Sequence, residues 1–147
     1  MKNILSKLLV AAVLVGSSAV VSAKEELPYS EGPVIYLSYI KIKPGMFDTY
    51  MKWLSTDWKK VNEEYKKAGL ILEAKVYQCA PRSPQEPDLV LAVTYKNMAA
   101  LDNLDERTSA IDEKLVGSRQ KASEAFMDRE KMREVLGGEL INELVLK

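Results

Sequence analysis

The chain has 147 residues, 21 of them basic and 21 acidic, with 47% hydrophobic residues. That is enough for one hydrophobic core, and the charge is too balanced to indicate nucleic acid or an anionic membrane as a partner. Histidine is absent and Cys79 is the lone cysteine, which excludes histidine-assisted nucleophiles, histidine-ligated zinc or iron, haem on a proximal histidine, and an internal disulfide.

Residues 1–23 have the three parts of a secretory signal. Lys2 and Lys7 supply the charged start, Leu8 to Val15 is an apolar run too short to span a bilayer, and Val21-Ser22-Ala23 offers small residues for cleavage after Ala23. No stable membrane anchor is expected once it is cut, so the protein is expected in the periplasm or outside the cell, slightly acidic after losing two lysines. Residues 24–33 contain Pro28 and Gly32, lack periodicity, and read as a flexible leader before a single domain over 34–147.

Val34 to Lys43 reads as a strand apolar on both faces, and Pro44-Gly45 ends it. From Met46 to Lys67, helical spacing places Phe47, Tyr50, Met51, Leu54, Trp58, Val61 and Tyr65 on one stripe, and Ala68-Gly69 supplies the stop. Leu70 to Cys79 alternates cleanly, as an edge strand does, and Ala80 to Asp88, with three prolines, reads as a loop. Cys79 at the strand end reads as a small buried apolar group. Leu89 to Tyr95 is a third strand, again apolar on both faces. Asn97 is placed to cap a helix, Gly117-Ser118 interrupts it, and a further helix is predicted from Ser118 to Leu136, stopped by Gly137-Gly138. Glu139 to Leu146 is the last strand. The acidic residues Asp102, Asp105, Glu106, Asp112 and Glu113 lack calcium-loop spacing and read as a solvated helix face.

This order specifies an α+β, ferredoxin-like βαββαβ fold with an extra helix before the last strand. Right-handed crossovers put the first and third strands in the middle of a four-stranded antiparallel sheet, with the second and fourth at its edges. Helices then cover one face only, and the apolar side chains on the other face predict a homodimer packed through the sheet.

The strand ending Ile40-Lys41-Ile42-Lys43-Pro44-Gly45, its aromatic-rich amphipathic helix and the repeat of the strand-to-helix unit at Ala92 to Asp102 resemble the dimeric α/β-barrel superfamily, which includes antibiotic-biosynthesis-monooxygenase-like and NIPSNAP-like families. The resemblance spans most of Val34 to Lys147. It implies a barrel made by two chains and a range of roles, from cofactor-independent oxygenases to sensors. The haem-using members place a histidine on the iron, and this chain has none.

On the face turned from the helices the alternation places Leu37, Tyr39 and Lys41, with Glu73, Lys75 and Tyr77 from the second strand and Glu143 from the last. Carboxylate, amine and phenol groups among apolar side chains suit a small-molecule cavity. Leu37, Tyr39, Lys41, Lys75 and Tyr77 are the expected ligand contacts there, with Trp53 at the margin of the helical stripe as an entrance residue. For catalysis, a desolvated Glu73 or Glu143 would serve as base and Tyr39 or Tyr77 as donor to an oxyanion. No cofactor and no metal is expected. The leading expectation is an exported homodimer that binds a small, partly apolar molecule. The alternatives are a cofactor-independent oxygenase or isomerase, and a non-catalytic interaction or stress protein.

Overall fold

The computed structural model describes residues 26–147; the expected signal, residues 1–23, lies outside the described residues. The first strand, β1, runs from Tyr29 to Ile42 and so takes in much of the stretch expected as a leader. The reason is its partner: β4 reaches far enough to pair Leu146 with Tyr29 and Val145 with Ser30. A neighbouring strand satisfies backbone N–H and C=O groups whatever the side-chain pattern.

Gly45, at φ 77°, turns the chain out of β1 in a conformation that favours glycine. Helix α1 (Phe47–Trp53), a π turn (Leu54–Trp58) and α2 (Lys59–Lys67) then follow without a break. The predicted stripe faces the sheet: Tyr50 and Leu54 are buried with Ile40, Leu89 and Leu91, and Met51, Trp53 and Trp58 pack around them. After Gly69 the expected strand starts late. Leu70 and Ile71 turn under the helix to form a second core cluster with Tyr95, so β2 is only Glu73–Gln78. The third strand, β3, is Leu89–Tyr95, as read from the sequence.

Asn97 does act as a cap, its side chain accepting from the Ala100 N–H at 3.0 Å, but the element capped is a single 3₁₀ turn, Met98–Leu101. Asn103 at φ 51° separates that turn from α3 (Leu104–Leu115). Ser118 caps α4 (Arg119–Glu130) by accepting from the Lys121 N–H.

The helix predicted to Leu136 stops early, and β4 already begins at Arg133, running to Leu146. Met132 and Leu136 are spaced as on a helix, yet Arg133, Glu134 and Val135 pair with Ile42, Lys41 and Ile40. Gly137-Gly138 is therefore no helix stop. The register jumps from Tyr39↔Gly137 to Ile40↔Val135, which leaves Leu136 unmatched in a β-bulge. Gly138 lies beneath Tyr36: a Cβ there would stand 2.7 Å from the Tyr36 hydroxyl and 3.0 Å from the Leu37 carbonyl.

The strands are ordered β2-β3-β1-β4, all neighbours antiparallel, so the two strands read as apolar on both faces are the central pair. Val34, Ile40, Leu89, Leu91 and Tyr95 are the buried side of that pair, under the helices. The chain has a ferredoxin-like α+β fold.

Candidate functional site

Directly opposed residues in an antiparallel ladder share a face, so the register identifies what the uncovered face presents. One row is Tyr77, Val90, Tyr39; the next is Lys75, Ala92, Leu37, Glu139; the next is Glu73, Thr94, Ile35, Ile141. Lys41 follows Tyr39 along β1. This face carries the residues expected on it, but it does not bring the expected catalytic groups together. Glu73 is on β2 and Glu143 on β4, at opposite edges of the sheet and separated by about 14 Å at ~4.8 Å per strand. The Glu73 carboxylate accepts from Lys75 at 2.8 Å, with both side chains well exposed, so the desolvation needed for a buried base is lacking in the single chain. The methylenes of Glu143 lie close over Gly32.

Tyr39 and Lys41 have partners that the sequence reading did not name. The Tyr39 hydroxyl donates to Glu139 Oε2 at 2.8 Å, and that bond, with a smaller effect of desolvation, raises the phenol above its ordinary value of 10.0. Lys41 Nζ donates to Asp88 Oδ1 and to the Glu86 carbonyl, each at 3.0 Å, while the other Asp88 oxygen accepts from the Ile42 amide at 2.8 Å. Burial pushes the Asp88 carboxyl up, but the Ile42 amide and Lys41 outweigh it and hold the group below its usual 3.8. Lys41 thus ties the 80–88 loop to β1. Tyr77 stands half exposed.

A sizeable cleft lies on the other side of the sheet, between it and the helices. It measures about 530 Å³ and is floored by Ser38, Ile40, Leu91 and Val135, within the range of small-molecule sites. Its walls are aromatic and cationic. Tyr50 and Trp53 stack at 5.6 Å with planes 14° apart, and Trp58 comes from the same helix. The π turn adds a residue to one helical turn at the place where Trp53, Asp57 and Trp58 all reach the cleft. From the opposite wall, the Arg129 guanidinium lies 5.1 Å from the Trp53 ring centre and 5.5 Å from that of Phe126. Arg133, only 6% exposed, lies 5.8 Å from the Phe126 ring.

Burial acts on this group of residues in opposite directions. It raises the Tyr50 phenol, partly countered by Arg133 and Arg129. It lowers Arg129, helped by the like charge of Arg133. Arg133 donates to Glu130 Oε1 at 3.0 Å, and its Nε–H is buried without an acceptor. Of the residues expected to touch a ligand, Trp53 lines this cleft, whereas Leu37, Tyr39, Lys41, Lys75 and Tyr77 lie on the uncovered face. Sequence reading missed Arg129 and Arg133 because both fell in one long predicted helix. The available signal was the pair Phe126 and Arg129, three apart on α4, which puts one cation within reach of the ring; Arg133 comes to it from β4. Among the described residues no cluster of three or more His, Cys, Asp or Glu side chains is arranged to hold a metal ion, and no helix is long and apolar enough to cross a membrane.

The sequence matches no protein-family model and no curated protein. Solved structures do match in fold. HapK from Hahella chejuensis is similar at a TM-score of 0.51 and 12% identity, over 75% of this chain and 91% of that one. A dimeric ferredoxin-like protein from an uncultured marine organism is similar at a TM-score of 0.50 and 14% identity, over 80% of this chain and 98% of that one. At these identities the similarity is one of fold, and it places this chain among ferredoxin-like proteins.

Proposed function

We propose that the protein is an exported homodimer of the dimeric α/β-barrel type that binds a small, partly apolar molecule. The observation carrying the binding reading is the cleft of about 530 Å³ walled by Tyr50, Trp53 and Trp58. The site is therefore proposed between helices and sheet rather than on the uncovered face. Three aromatic rings and aliphatic side chains supply contact area with little rotamer entropy to lose. Native mass spectrometry of protein purified from its own host tests this directly, expecting a retained small molecule on the wild type that is lost on Trp53→Ala. A wild-type spectrum of apoprotein alone, with no thermal shift from any apolar probe, would reject it.

The dimer is supported by what the fold leaves uncovered. Every residue of β4 after Arg133 is exposed, including Ile141 at 38% and Leu146 at 80%, and no strand pairs with its outer edge among the described residues. A long apolar edge strand beside an uncovered sheet face is a surface that folded proteins normally pair or cover. One of the similar structures is described as dimeric. Sedimentation at micromolar concentration is expected to give twice the chain mass, and a monomer mass would refute this part. Export rests on residues 1–23; N-terminal sequencing of the protein from its host is expected to begin at Lys24.

A further inference from the structure

We infer that the cleft binds a small organic anion, its acidic group held at Arg129 and Arg133 and its apolar body lying along Tyr50, Trp53 and Trp58. The inference rests on the reading of this cleft as a small-molecule site and adds the chemical class of the ligand. Arg133 is the first reason. A guanidinium offers five N–H donors; this one is 6% exposed, donates to Glu130, also meets the Tyr50 hydroxyl, and keeps a buried Nε–H with no acceptor among the described residues. Buried donors of a charged group are normally satisfied, and Arg133 is one of the residues that line the cleft.

Arg129 is the second reason. No carboxylate lies within 4 Å of it among the described residues, and the Trp53 and Phe126 rings hold it in place. Contact with ring faces restrains a guanidinium while leaving its in-plane N–H groups available to a carboxylate. The wider lining agrees: Lys60 and Lys121 add positive charge and Asp57 is the one acid, while Glu130 is already bonded to Arg133. Two partly buried cations in a poorly screened space repel each other, and the lowering of Arg129 by Arg133 is the mark of that repulsion. A neutral ligand leaves this repulsion in place; an anion between the two removes it. The aromatic walls exclude a bare inorganic ion as the best fit, because it would leave the apolar part of the cleft unfilled.

The test is isothermal titration calorimetry of the purified protein with 1-naphthoate and decanoate, each against its neutral alcohol, 1-naphthylmethanol and decan-1-ol. The acids are expected to bind at least about tenfold more tightly than the alcohols at low salt, the scale of one charge-assisted hydrogen bond, with the preference shrinking at high salt. Arg129→Gln and Arg133→Gln are each expected to bring acid and alcohol close to equal, and Arg129→Lys to restore part of the preference. Should Arg133→Gln fail to fold, Arg129→Gln and the wild-type salt dependence still decide. Alcohols that bind as tightly as acids, or a preference that survives Arg129→Gln, would overturn the anion while leaving the small-molecule site standing. If none of the four compounds binds, both readings fall together.

Discussion

Replacing Gly138 with alanine tests the junction of β1 and β4 at its tightest point. The new Cβ would lie 2.7 Å from the Tyr36 hydroxyl, 3.1 Å from Tyr36 Cζ and 3.0 Å from the Leu37 carbonyl, where ordinary contact begins at 3.4 Å. Tyr36 is 45% exposed and can swing aside. Leu37 cannot, because its backbone sits in the ladder between Ala92 and Glu139. Overpacking of this kind costs about 1–3 kcal/mol, and for a domain of this size roughly 3–6 °C of Tm is lost per kcal/mol. Gly138→Ala should therefore lower the Tm by about 3 to 18 °C in differential scanning calorimetry. Tyr36→Phe removes the nearest atom but leaves the carbonyl, so the double variant should recover part of the loss, with a coupling of about 0.5 kcal/mol or more. A Tm for Gly138→Ala within 1 °C of wild type, or no coupling to Tyr36→Phe, would show that the phenol does not lie over this glycine.

Three further outcomes are expected. Asp88→Asn should cost about 1–2 kcal/mol through the weakened bonds to Lys41 and Ile42, read by urea denaturation. Because the Asp88 carboxyl titrates below its unfolded value of 3.8, its contribution is complete above that pH and is lost as the pH falls through the folded value; the variant and wild type should converge in acid. The phenols of Tyr50, Tyr65 and Tyr95 are all raised by burial, Tyr65 also by donating to Asp112. Their stabilisation is full below pH 10 and fades as the pH rises beyond it, so tyrosinate absorbance should lag the ordinary curve for these three as well as for Tyr39, and the three buried phenols should appear together with unfolding; independent titration of all three in the folded protein would contradict their burial. Ile141→Lys on the uncovered face should halve the sedimentation mass without shifting far-UV circular dichroism, whereas an unchanged mass would place the dimer contact elsewhere.

The sheet was legible in the chain because its two central strands are apolar on both faces and each is closed by a strand-to-helix corner. Three boundaries were not. The ends of β1 and β4 depend on each other across the whole domain, and no local pattern in Tyr29–Pro33 or Arg133–Leu136 reveals that pairing. Leu70 and Ile71 alternate like strand residues but are drawn under the helix by Tyr95. Asp112 looks like one of several solvated acids, and only the approach of α2 to α3 gives it Tyr65 as a partner. The contents of the uncovered face followed from alternation, since parity survives small errors in strand ends. The cleft did not, because it is assembled from the π turn of one helix and the last turn of another, and neither can be aligned with the other from sequence spacing.

The pairing of Tyr29 with Leu146 also has a temporal meaning. β1 lies between β3 and β4, so one flank of the strand made first stays open until the strand made last is available. Contacts between such distant residues form slowly, since the loop entropy must be paid before any bond rewards it. During synthesis the sheet consequently stays unfinished until β4 has emerged.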